Sequence, residues 1–241
     1  MKWGNFTPVH FASLAIGALI ILAIFLILRK RSQTVQTAVL GVLSFAGIAA
    51  IIYNMLPPNN VLQNLPLQLC SLNAMLLPIV VFTKNKTLGN LLLAWCLGAI
   101  CALILNNECV NMDIFGLDFA FYYYPHLMEC GIPILLFALG HIKKDPKCIL
   151  SSLVISLAAY TVIHFINLWI NDYTAANDLG FSVNYMFSMQ PNNPLSYLMY
   201  SLLPYNYFYM LLYFPLIAVY LAIVYLPDMI RSKKVGDTGK K

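Results

Sequence analysis

Four side chains in this chain could carry proton or acyl chemistry: Cys70, His126, Glu129 and His164, each inside an apolar stretch. An ionisable group in hydrocarbon is costly unless it is paired or wetted, so their positions are informative. Cys70 lies in Leu-Pro-Leu-Gln-Leu-Cys-Ser-Leu-Asn, residues 65–73, with Asn73 on its face at i+3. His126, Glu129 and Cys130 follow at i, i+3 and i+4 on one face. His164 belongs to a stripe of Ser152, Ser156, Tyr160, His164, Asn167 and Asn171, at steps of four or three, which is one helical face.

A thiol, an imidazole that can take its proton and a carboxyl that orients the imidazole are the parts of nucleophilic acyl transfer. The same groups could instead line a proton or substrate path, or clamp neighbouring helices. Buried cysteines are commonly inert. The His, Cys and Glu positions lack the close paired spacing of zinc motifs, so no metal and no cofactor is expected. Six cysteines, mostly within apolar runs, form no readable disulfide framework.

The elements that position these residues follow from composition. Of 241 residues, 61% are hydrophobic and 10% charged, and mean hydropathy is +0.76. A soluble domain needs about a quarter of its residues charged, so this chain reads as an all-α polytopic membrane protein whose partners are membrane lipids. No nucleotide-binding loop occurs. The net charge of +5 does not indicate nucleic acid, because the basic residues cluster at the ends of apolar runs.

Crossing a bilayer takes about 20 apolar helical residues. Seven runs meet this: 11–28, 36–54, 66–82, 88–105, 120–140, 148–170 and 205–227, forming a single domain over 1–241. The runs are too long and continuous for barrel strands. The first is an uncleaved span, because Arg29, Lys30 and Arg31 follow it directly. Thirteen of the 14 Lys and Arg follow odd-numbered spans, while Lys2, Glu108, Asp113, Asp118, Asp172 and Asp178 fall on the other side. The positive-inside rule then predicts an outer N-terminus and a cytoplasmic C-terminus in the cell membrane. One long outer loop, 171–204, is apolar enough to pack on the bundle. Asn193-Pro194 predicts an interfacial helix over 195–203. At about 1.5 Å per residue, Cys70, His126 and His164 fall at one depth, with Glu129 a turn deeper.

The Leu65-to-Cys70 segment, with Asn184-Tyr185-Met186 and Leu203-Pro204-Tyr205, resembles the YwaF family of bacterial integral membrane proteins. Cys70, His126, Asn184, Tyr185, Pro191, Pro204 and Tyr205 or Tyr207 match its pattern. That family is similar to a eukaryotic multi-span acyltransferase that remodels ether phospholipids through an acyl-cysteine intermediate. The resemblance implies Cys70 as nucleophile. It departs at Gln68, where the family carries His, so the base must be His126 or His164. Glu129 would orient His126, and His164, Asn73 or Asn167 would supply oxyanion donors. Asn184 and Tyr185, as matching positions, would contact substrate. The reading from a different class is a small-molecule or ion carrier, or a ligand-binding membrane protein, using Glu129 and the histidines.

Overall fold

A computed structural model describes residues 1–56, 61–105 and 109–238, with side chains through 227. Glu108, Lys240 and Lys241 of the charge pattern lie outside the described residues. Among those residues there is no strand, only a single antiparallel bridge between Lys2 and Asp113.

Local chemistry sets most helix starts. Thr7 accepts from the His10 N–H and Pro8 takes the first position of α1 (Pro8–Leu28). Ser32 caps α2 (Gln33–Ser44) in the same way. The second apolar run breaks at Phe45 and resumes as α3 (Ala46–Met55). Ser44 Oγ donates to the Gly41 carbonyl at 2.6 Å, a back-bond that bends helices. The remaining helices are α4 (Leu69–Thr83), α5 (Lys86–Leu105), α6 (Leu117–Ala138), α7 (Cys148–Ala176), α8 (Pro194–Leu202), α9 (Phe208–Leu211) and α10 (Tyr213–Thr238). Asn193 and Ser196 form a reciprocal capping box at α8, where the Asn-Pro pair predicted a start.

Every expected apolar run forms helix, but with different lengths. Among the described residues, five helical stretches are long and apolar enough to cross a membrane: Pro8–Leu28, Gln33–Met55 (α2 and α3 together), Lys86–Leu105, Cys148–Ala176 and Phe208–Pro227 (α9 and the start of α10). The other two are α4, with 15 residues, and α6, with 22. Helix α4 begins three residues later than the run at 66, because Gln68 holds an extended ψ of 154° ahead of it. Helix α6 is long enough, but its face carries Asp118, His126 and Glu129.

That polar helix is the centre of the bundle. Helix α6 packs against each of α1 to α5, and its Leu127, Ile132, Leu135 and Leu136 share one core with Leu77 and Val81 of α4 and Leu92 of α5. Helix α7 packs on α5, where Trp95 Nε1 donates to Ser156 Oγ at 2.8 Å. Helix α10 lies against both. A second, smaller core joins Tyr160, Ile163 and Ile170 of α7 to Val183, Tyr185 and Met186 of the following loop. The N-terminal segment is also built in. Trp3 is fully buried edge-on to Phe119 and Tyr122; its indole N–H donates to Ser13 Oγ at 2.7 Å and its backbone N–H to the Met112 carbonyl at 2.9 Å.

Candidate active site

Three helices that approach closely leave a cavity between them. At Gly47 of α3 the three helices are in close contact: a Cβ there would stand 2.4 Å from the Ala74 Cβ and 3.5 Å from Glu129 Oε1. Just above that contact α3, α4 and α6 diverge around a cavity of about 250 Å³. Cys70 and Ser71 line it from α4, Asn54 and Ile51 from α3, and Asp118, Phe121, Tyr122, His126 and Glu129 from α6. Cys109 and Met112 close one side. The cavity follows α6 from residue 118 to 129, about 16 Å along the axis.

Cys70 sits in the first turn of α4, at the second helical position. The first-turn amides have no side-chain cap, because the Gln68 side chain accepts instead from the Met186 N–H at 2.8 Å. Uncapped first-turn amides are donors with a favourable dipole for negative charge. They point toward the end of the helix that carries the thiol.

His126 is buried at 9% exposure, and its Nδ1 lies 2.7 Å from the Tyr122 carbonyl. A carbonyl only accepts, so Nδ1 carries the proton. In the neutral ring Nε2 is then the basic nitrogen. The group that orients the imidazole is therefore the backbone of Tyr122 rather than Glu129. Pro125, one residue earlier, removes the amide that would have bonded the Phe121 carbonyl.

Glu129 is 3% exposed, inside the bundle, and its Oε2 has no hydrogen-bond partner among the described residues. Asn73, 1% exposed, makes a long 3.5 Å contact from Nδ2 to the Glu129 carbonyl, and its Oδ1 is likewise without a partner. Behind this carboxyl, Cys96 Sγ donates to the Cys130 carbonyl at 3.4 Å.

The other expected site residues gather elsewhere. His164 Nδ1 lies 3.0 Å from Ser188 Oγ, to which Asn167 Nδ2 donates at 2.8 Å. Asn167 also donates to the Tyr185 carbonyl at 2.8 Å and accepts from its N–H at 3.0 Å. Asn171 pairs with Val183 in the same two-way manner, at 3.0 and 2.7 Å. The polar stripe of α7 thus clamps the 183–188 loop. Asn184 Oδ1 accepts from Met189 and Gln190 and folds that loop on itself. Tyr185 Oη accepts from the Leu65 N–H at 3.1 Å and donates to the Leu62 carbonyl. None of His164, Asn167, Asn184 and Tyr185 lines the cavity.

Sequence reasoning passed over Asp118, Tyr122, Asn54 and Ser71 as cavity residues. A signal for two of them was present: Asp118, Tyr122, His126 and Glu129 follow at steps of four, four and three, which is one face of α6. Asn54, exposed at the end of α3 where it lines the cavity, carried no comparable signal. Among the described residues, no cluster of three or more His, Cys, Asp and Glu could hold a metal ion.

No curated protein and no solved structure matches the chain. A family model matches residues 5–225, nearly the whole length and all the helices that build the cavity. The chain therefore belongs to the TMEM164 family, a family of transmembrane proteins.

Proposed function

We propose that this protein transfers acyl chains between membrane lipids, with Cys70 as nucleophile and His126 as base. The observation that carries the reading is that a thiol and an imidazole with Nε2 as its basic nitrogen line the same cavity. His126 Nε2 takes the Cys70 proton, and the thiolate adds to the carbonyl carbon of an acyl ester. As the tetrahedral intermediate collapses, the ester C–O bond breaks and the leaving alkoxide takes the proton from His126. An acceptor hydroxyl then gives its proton to Nε2 and attacks the thioester carbonyl; the C–S bond breaks and the departing thiolate takes that proton back, leaving a new ester and the free thiol. The Ser71 hydroxyl, next to the nucleophile in the cavity lining, supplies an oxyanion donor. Likeness to the YwaF proteins and to the ether-phospholipid acyltransferase supports the same reading through Cys70. So does membership in a transmembrane family. His164, Asn167, Asn184 and Tyr185 act at a distance, by holding the loop that ties down the start of α4.

In this proposal the bundle has seven spans, with α4 and α6 as the two enclosed ones. The N-terminus is outside, the C-terminus in the cytoplasm, and the protein sits in the cell membrane with its cavity open to the outer leaflet. A cysteine placed at Asn111 in a cysteine-free background should label from outside intact cells, and one at Lys143 should not.

Intact-protein mass spectrometry tests the chemistry. Incubation with phospholipid should add one acyl mass to the wild type and none to Cys70→Ser. Full lipid remodelling by Cys70→Ser would overturn the reading. The second reading, a carrier or ligand-binding protein, is favoured by one observation: Glu129 lines the cavity and its Oε2 has no partner among the described residues. It expects Glu129→Gln to abolish ligand uptake while Cys70→Ser leaves it unchanged.

A further inference from the structure

The charge of the cavity lining selects its ligand. The lining contains two carboxyl side chains, Asp118 and Glu129, and no Lys or Arg among the described residues. Glu129 is almost fully buried, with one oxygen lacking a partner among the described residues. At the Asp118 end of the cavity, about 12 Å along α6 from His126, an anionic head would meet like charge, whereas a cation would be drawn in.

Asp118 stands at the opposite end of the cavity, in the first turn of α6. Its Oδ1 accepts from Tyr53 Oη at 2.8 Å, which fixes the carboxylate in place. The Tyr53 ring stacks on Phe121 at 4.2 Å, and both Phe121 and Tyr122 line the cavity beside it. A positioned carboxylate among aromatic rings is the constellation that recognises ammonium groups.

The geometry points to a subsite at Asp118, Tyr53, Phe121 and Tyr122 for the ammonium head of a zwitterionic or cationic amphiphile. This deepens the acyl-transfer reading and rests on it for the identity of the reacting ester. Asp118 precedes His126 by eight residues, about 12 Å along α6. In a glycerophospholipid, nine bonds separate the head nitrogen from the carbonyl carbon of the middle ester. At roughly 1.2 Å of advance per bond the extended span is about 11 Å. A head held at Asp118 would therefore bring an acyl ester to the level of His126.

Binding of lysolipids of one chain length to the purified full-length protein in non-ionic detergent tests this. The probes are a choline-headed lysophospholipid, a glycerol-headed anionic lysophospholipid and an uncharged monoacylglycerol. The wild type should bind the choline head about tenfold more tightly than the anionic one. Asp118→Asn should bring that ratio near unity with monoacylglycerol binding unchanged, and Asp118→Glu should retain it. Should Asp118→Asn fail to fold, the wild-type ratio should still shrink between low and high salt. Equal binding of both charged heads by the wild type, a ratio that survives Asp118→Asn, or a ratio indifferent to salt would each overturn the subsite. The Cys70 adduct is read separately, so a missing adduct with an intact head preference sinks the acyl-transfer reading alone.

Discussion

The Gln68 side chain accepts a hydrogen bond from the backbone N–H of Met186, 118 residues away. Met186 is buried with φ at +51°, a left-handed conformation that a side-chain-bearing residue adopts only when its surroundings hold it there. The bond joins the segment leading into Cys70 to the loop clamped by α7. The start of α4 and the loop at 183–188 are thus in direct contact.

Gln68→Ala should leave the Met186 N–H without its acceptor in a buried setting, costing about 1–2 kcal/mol. The expected result is a lower thermal midpoint together with faster alkylation of Cys70, because the start of α4 loses its tether. An unchanged alkylation rate would mean that the loop does not govern access to the thiol.

Gly47→Ala places a methyl 2.4 Å from the Ala74 Cβ, with the Ala74 Cα at 3.3 Å. Both neighbours belong to a packed helix, so separation of α3 and α4 should cost about 1–3 kcal/mol. Combining it with Ala74→Gly should recover most of the loss. Chemical or thermal denaturation of the single and double variants gives the coupling directly.

Asn167→Ala removes three hydrogen bonds to Tyr185 and Ser188 at a fully buried position. The expected cost is about 3 kcal/mol, from bonds worth about 1 kcal/mol each. Limited proteolysis should then cut within 181–190, where the wild type resists.

Asp113 binds the N-terminal ammonium at 2.9 Å and the Phe115 N–H at 3.1 Å, and these partners hold its carboxyl below the ordinary 3.8. A depressed carboxylate adds stability that is present above the unfolded value and is lost as pH falls through the folded one. Hydrogen exchange over residues 1–6 and 109–116 should therefore quicken below that ordinary value. Asp113→Asn should show the faster exchange already at neutral pH, with no further change on acidification.

Helical class and membrane setting were legible in the sequence, because continuous apolar runs of this length suit helices and not barrel strands, and apolar length is a local property. The α7 stripe was legible for the same kind of reason: its steps of four and three put Ser152 through Asn171 on one face whatever lies opposite. What lies opposite was not legible. The partners of Asn167 and Asn171 are backbone groups of a loop, and backbone groups carry no side-chain signature. Equal depth made Cys70, His126 and His164 candidates for one site, yet depth says nothing of rotation about each helix axis or of which helices are neighbours. The tertiary structure decided that α6 is central, that His126 and Glu129 share the cavity of Cys70, and that His164 turns to Ser188. Packing at Gly47 against Ala74, and the break at Phe45, set those rotations through contacts between segments far apart in the chain. Periodicity within a single helix cannot encode them.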